Sequence, residues 1–200
     1  EAEYSVCELP RIYTLARLLN RWESLQIFVD YGFKGLRDSK ANGGKIFNTA
    51  YVVSTCGECI DKLAYVERLT EEVRGLEVPR TSLREGFDAL RTVNGLGSFL
   101  AGQAIADLKN DRYYDQHTTP DWHDFAVMGP GSKKGLDFLF GYGTTEKNFT
   151  QRLEDLAVAV SGLIPKLHRQ DLQNCLCEYS KYIRYMDDLP GRRRPYHVQS

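Results

Sequence analysis

Ser82-Leu83-Arg84-Glu85, followed by Val93-Asn94-Gly95-Leu96-Gly97-Ser98-Phe99-Leu100-Ala101, is the stretch on which the fold turns. Ser with Glu three residues later is a capping box, in which each side chain reaches an amide N–H that has no acceptor within the first helical turn. A helix is predicted from Ser82 to about Thr92, and a second opens after Gly97. Two glycines around one apolar residue, directly before a helix start, form a helix-hairpin-helix pattern: glycine permits the positive φ of a tight turn. The amides and dipole of the second helix then face an anion. Such a hairpin grips a DNA backbone through Asn94, Gly95, Gly97 and Ser98 without reading sequence. A plain αα-hairpin with a glycine turn is the structural alternative.

Working outward, the dominant period is helical. Leu15, Leu18, Leu19, Trp22 and Leu25 make one stripe, and Ile60, Leu63, Ala64, Leu69, Val73 and Leu76 a second. A third runs from Leu153 through Leu156, Ala157, Val160, Leu163 and Ile164 to Pro165. Leu172, Leu176, Tyr179, Ile183 and Met186 make a fourth. Lys45 to Ser54 reads weakly as a strand. Segments 110–121 and 141–150 read as loops. No repeat or low-complexity linker divides the chain. The expectation is an all-α fold, a single helical domain over residues 1–190, and a basic tail over 191–200 that carries Arg192, Arg193 and Arg194.

Composition fits this. Of 200 residues, 42% are hydrophobic and 12% aromatic, enough for a sizeable core. Twenty-six basic against 27 acidic side chains leave a net charge of -1, which excludes a histone-like protein but not a local basic patch. No run of about 18 apolar residues exists to span a bilayer. The chain opens Glu1-Ala2-Glu3-Tyr4 without Met, which points to a processed or trimmed start and an upstream segment; no signal peptide is visible. Five cysteines, an odd count, suit a reducing cytoplasm better than a secreted disulfide scaffold. Cys56 and Cys59 (CxxC) with Cys175 and Cys177 (CxC) have the thiol number of a zinc site. A CxC on a helix, however, throws its sulfurs to nearly opposite faces, so no metal is assigned.

Two more stretches bear chemistry. In Gly129-Pro130-Gly131-Ser132-Lys133-Lys134-Gly135-Leu136, consecutive amides at Gly131 and Ser132 could form an anion nest beside two lysines. The spacing is not that of a Walker A loop, which argues against a kinase active site. A surface turn with solvated lysines is the alternative. In His168 through Tyr182, a spacing of 100° per residue puts Asp171, Glu178 and Tyr182 on one helical face beside the apolar stripe. Carboxylates at a core edge can exchange protons. A salt-bridged amphipathic helix is the alternative.

Four ordered blocks together resemble a known family: the Thr14-to-Trp22 helix; Asn94 to Phe99 with Ala106-Asp107-Leu108-Lys109; Asp121-Trp122 with Gly129 to Leu136; and His168 to Tyr182 with the basic tail. The chain is identified over residues 12 to 195 as similar to the α-glutamyl/putrescinyl thymine pyrophosphorylases of phage DNA hypermodification. These share a helical domain with 5-hydroxymethyluracil DNA kinases. The resemblance implies a helix-hairpin-helix DNA-glycosylase-like fold. It also implies replacement of pyrophosphate on 5-(pyrophosphoryloxymethyl)uracil in DNA by an amine or amino acid of putrescine, glutamate or glycine type. The chain departs from the family in having no aromatic-Arg segment ahead of Tyr13, and its CxxC is not part of the family pattern.

That chemistry assigns expected roles. Gly129, Gly131, Ser132, Lys133 and Lys134, with Lys109, would stabilise the leaving pyrophosphate. Asp171 or Glu178, with His168 as the alternative, would take a proton from the incoming ammonium. Asp121 and Asp124 would hold that ammonium. Trp122 would stack on an extruded base. Asn174 and Lys181, on the helix of Asp171, join the substrate set. No cofactor is expected beyond a divalent metal accompanying pyrophosphate. The expected partners are double-stranded DNA carrying modified thymine, a small amine or amino acid, and a hydroxymethyluracil DNA kinase; no membrane is expected, and the location is the cytoplasm, the host's if phage-encoded. Two rivals remain: a DNA glycosylase acting on a modified pyrimidine, and a non-catalytic helical module that presents DNA to the kinase.

Overall fold

A computed structural model describes residues 4–48, 55, 57–58, 60–165 and 167–186. Among these, all regular structure is helical: a 3-10 turn at Val6–Glu8, then α1 (Leu9–Leu19), α2 (Trp22–Ala41), α3 (Lys62–Arg74), α4 (Leu83–Leu90), α5 (Ser98–Lys109), α6 (Pro130–Phe140), α7 (Glu146–Val160) and α8 (Arg169–Met186). The all-α expectation holds. The weak strand reading does not where it can be followed, since Lys45–Asn48 is irregular chain; residues 49–54 and the 191–200 tail lie outside the described residues. The chain divides into two compact units, Glu1–Trp122 with α1–α5 and His123–Ser200 with α6–α8.

In the first unit α1 packs against α3 and α5, and α4 against α5. Pro10, in the first turn of α1, sacrifices no helical hydrogen bond there. Leu15, Leu18 and Leu19 are fully buried, each contributing about 1.5–3 kcal/mol over exposure. The predicted stripe stops there. Asn20 adopts a left-handed conformation (φ 45°, ψ 40°) that ends α1, the helical register restarts, and Trp22 is 72% exposed. Helix α2 kinks at Gly32. Arg17 ties α1 to α5 by a two-pronged bond to Asp107, at 2.6 and 2.5 Å. In α3, the Asp61 carboxylate caps the first turn by accepting from the Leu63 and Ala64 amides. Ile60 therefore precedes the helix and is exposed.

In the second unit α6 and α7 both pack on α8, around Ala126, Leu136, Phe149, Leu153, Ala157, Leu172 and Leu176. Helix α7 ends at Val160. Leu163 and Ile164, expected to continue its stripe, instead lie in a turn and are 84% and 53% exposed. The loop expected over 141–150 ends early, because Thr145 is the N-cap of α7 and Glu146 begins the helix. On α8, Leu172 and Leu176 are buried as expected, but so are Gln170, Gln173 and Ser180, while Met186 is exposed. Leu136 is the second unit's sole member of the set of largest fully buried side chains among the described residues, so this unit depends heavily on close backbone packing. That packing comes from Gly131 and Gly135, one turn apart on α6. A Cβ at Gly131 would lie 2.9 Å from the Cys177 sulfur, and one at Gly135 would lie 2.5 Å from the Leu176 carbonyl oxygen. The two helices approach where α6 has no side chains.

Candidate functional site

The hairpin is α4, a short turn and α5. Ser82 caps α4 as expected, accepting from the Arg84 and Glu85 amides. The second half of the box differs. The Glu85 carboxylate accepts from the Thr81 hydroxyl, and the remaining α4 amides are met from a distance in sequence: Asp121 accepts from the Leu83 amide at 2.9 Å, the Arg84 amide at 2.8 Å and the Ser82 hydroxyl at 3.2 Å. A carboxylate on a helix N-terminus is favourable in charge as well as in hydrogen bonding. Asp121, expected to hold a substrate ammonium, is thereby committed to α4.

Gly95 carries φ 99°, and a Cβ there would overlap the hydroxyl of the fully buried Tyr65; the turn needs glycine on both counts. Gly97 is the N-cap of α5 and provides no side-chain cap. Asn94 and Gly97 are exposed, and space is open around the Gly97 α-carbon. The guanidinium groups of Arg84 and Arg91 lie over the Phe87 ring, at 5.4 and 5.6 Å. The hairpin thus presents an uncovered helix N-terminus in the unit that carries both arginines. Lys109, at the end of α5, is 3% exposed with its ammonium 5.1 Å above the Trp122 ring. The two residues expected to serve pyrophosphate and base face each other.

In the second unit, Gly129 is the N-cap of α6 and Pro130 its first residue. Ser132 is fully buried. Its hydroxyl accepts from the Gly129 amide at 3.0 Å and donates to the Gly129 carbonyl at 3.1 Å. Burial pushes the Cys177 thiol up, against a hydrogen bond from the Ser132 amide. Lys133 donates to Asp137 at 2.6 Å. The run expected to form an anion nest is therefore largely engaged in building α6 and seating it on α8. Lys134 is exposed.

Of the residues expected for proton transfer, His168 directly precedes α8 and Asp171 lies in its first turn, whereas Glu178 lies about two turns further along. The His168 ring meets the His123 ring edge to face, centroids 4.6 Å apart. The Arg169 amide donates to the His123 carbonyl at 2.9 Å, and the Arg169 guanidinium pairs with Glu154 at 2.5 Å. Asp171 sits in the first turn of α8, its amide donating to the His168 carbonyl at 3.0 Å. Asp124, next to His123 in the chain, is exposed. Asp171, Asn174 and Glu178 are also exposed, so solvent surrounds the carboxylates expected at the core edge; Glu178 pairs with Lys181 at 2.5 Å. His123 is the residue sequence reading passed over. Its signal, a histidine between Trp122 and Asp124, was present, but its contact lies 45 positions away on α8.

Among the described residues, no group of three or more His, Cys, Asp or Glu side chains is arranged to hold a metal ion. Cys56, Cys59 and the three arginines at 192–194 lie outside those residues. Cys175 is exposed and Cys177 half-buried. No helix among the described residues is long and apolar enough to cross a membrane.

These features define an all-α protein with a glycine-turned hairpin in one unit and a pair of histidine rings in edge-to-face contact in the other. The family model of the 5-hmdU DNA kinase helical domain matches residues 17–189. The chain belongs to that family, and carries the helical domain that its resemblance to the pyrophosphorylases implied. No curated protein and no solved structure matched the chain.

Proposed function

We propose that the chain is a DNA base-hypermodification transferase. It holds duplex DNA carrying 5-(pyrophosphoryloxymethyl)uracil through the α4–α5 hairpin and replaces pyrophosphate with a small amine or amino acid. The observation that carries this reading is the contact of the His123 and His168 rings at the start of α8, where the His168 carbonyl accepts from the Asp171 amide. Substitution at the exocyclic methylene needs a base, since only the neutral amine attacks. The amine nitrogen forms the new C–N bond, the C–O bond breaks, and its electron pair leaves on pyrophosphate. The ammonium proton passes to the half-buried His168 imidazole. Asp171 and Asp124 supply the negative charge that attracts a cationic amine, and Lys134 is the exposed lysine of the α6 run. Membership in the 5-hmdU kinase helical-domain family supports a modified-thymine substrate, and a DNA kinase of that pathway as partner.

A second reading has an observation in its favour. Ser132 and Lys133 already satisfy groups within α6, as they would in a non-catalytic module that presents DNA to a kinase. One assay separates the readings. The chain is given DNA bearing pyrophosphorylated hydroxymethyluracil and, in turn, putrescine, glutamate or glycine. The transferase yields an aminated nucleoside and free pyrophosphate, a glycosylase leaves alkali-labile sites, and a module binds DNA with no turnover.

A further inference from the structure

Between α6 and α7 the chain runs Phe140-Gly141-Tyr142-Gly143-Thr144. Tyr142 is 91% exposed, and the glycines on either side both have positive φ, 78° and 111°. Such a tip would ordinarily be loose. Here its carbonyls are tied: Arg152 donates to the Gly141 carbonyl at 3.0 Å and to the Thr144 hydroxyl at 2.8 Å, and Asn148 donates to the Gly143 carbonyl at 3.0 Å. The Thr144 amide donates to the Asp137 carboxylate at 2.8 Å. Asp137 is 7% exposed and is neutralised by Lys133 at 2.6 Å and Arg152 at 3.7 Å. A buried, paired carboxylate is costly to assemble, and this one buries no part of Tyr142. The network fixes an aromatic ring in water.

We propose that Tyr142 is a wedge that stacks on a base of the bound DNA where the helix is opened around the target nucleotide. The inference rests on the DNA-acting function proposed above. An aromatic face accepts any base, and insertion of an apolar side chain between base steps is an established way to hold an opened duplex. The charge on the two helices that the tip joins fits a polyanion. Lys134, on α6 one turn before Phe138, and Lys147, in the first turn of α7, are exposed, and Glu146 is the carboxylate beside them, since Asp137 is already neutralised. Phosphates flanking a stacked base would pair with these lysines.

The test uses the full chain and a duplex with 5-(pyrophosphoryloxymethyl)uracil beside 2-aminopurine. Binding of the unaltered chain should change the 2-aminopurine fluorescence. Tyr142→Ala should remove that change and weaken binding about 5- to 150-fold, the usual range for losing one base-stacking aromatic. Tyr142→Phe should retain both. Neither variant should move the thermal midpoint, because Tyr142 buries almost nothing. Unaltered fluorescence and affinity in Tyr142→Ala would overturn the wedge while leaving the DNA-acting function intact. Failure of the unaltered chain to bind the duplex would remove both.

Discussion

Gly135 on α6 and Leu176 on α8 approach so closely that a β-carbon at Gly135 would stand 2.5 Å from the Leu176 carbonyl oxygen. That atom is helical backbone and cannot swing away. Gly135→Ala should therefore force the helices apart and cost about 1–3 kcal/mol, as overpacking does. Gly162→Ala, with open space around its α-carbon and no positive φ, is the matched control. Urea denaturation of both variants checks this; equal midpoints would mean that α6 is not seated through its glycines.

Asp121→Ala separates structure from chemistry. Its carboxylate accepts three hydrogen bonds at the start of α4. Losing a helix cap costs about 0.5–2 kcal/mol, so the variant should melt earlier yet keep whatever turnover the chain has at temperatures where it is folded. Loss of turnover with unchanged stability would return Asp121 to the substrate site.

Much of this organisation was legible in the sequence, and the misreadings have physical causes. Leu15, Leu18 and Leu19 are buried where the helical period put them, but Trp22 is exposed because one left-handed residue, Asn20, resets the register. Hydrophobic periodicity could not reveal that Gln170, Gln173 and Ser180 would be buried on α8. Helix α6 presents glycines as well as Leu136 to α8, so the seam is set by backbone approach in addition to apolar surface. Gly131, read together with Ser132 as an anion nest, is one of these glycines, because close packing and phosphate binding both select residues without a β-carbon. Ser82 declared itself as a cap through its spacing. Asp121 did not, since its partners lie nearly forty positions earlier.

The Asp137 network gives a pH dependence. Burial pushes the Asp137 carboxyl up, but the bonds from Lys133 and Thr144 outweigh this and hold it at about 2, below its ordinary 3.8. Near pH 3 the unfolded chain thus binds more protons at this position than the folded one. The contribution of Asp137 is fully present above its ordinary value and is lost as pH falls through about 2. The stability difference between the unaltered chain and Asp137→Asn, followed by urea midpoints from pH 6 to 2, should shrink toward the acid end. A constant difference would show that the charge on Asp137 is not what fixes the tip.

Gly97→Asp distinguishes a DNA-gripping hairpin from a plain one. Gly97 has ordinary N-cap backbone angles (φ -69°, ψ 168°) and open space, and Asp is a better N-cap than Gly by a few tenths of a kcal/mol. The substitution should hold or slightly raise the melting temperature. It also places a carboxylate where a phosphate would sit, so duplex affinity should fall at least about tenfold if that terminus binds phosphate. Unchanged affinity in electrophoretic mobility shifts would move the DNA contact elsewhere.

The most direct measurement is nucleoside mass spectrometry on DNA bearing pyrophosphorylated hydroxymethyluracil, after incubation with isotopically labelled amines and with pyrophosphate counted in parallel. The transferase reading predicts a nucleoside carrying the label, one pyrophosphate released per label incorporated, and loss of both in His168→Gln at unchanged DNA affinity. Bound DNA that returns only its starting nucleosides with every amine would contradict it.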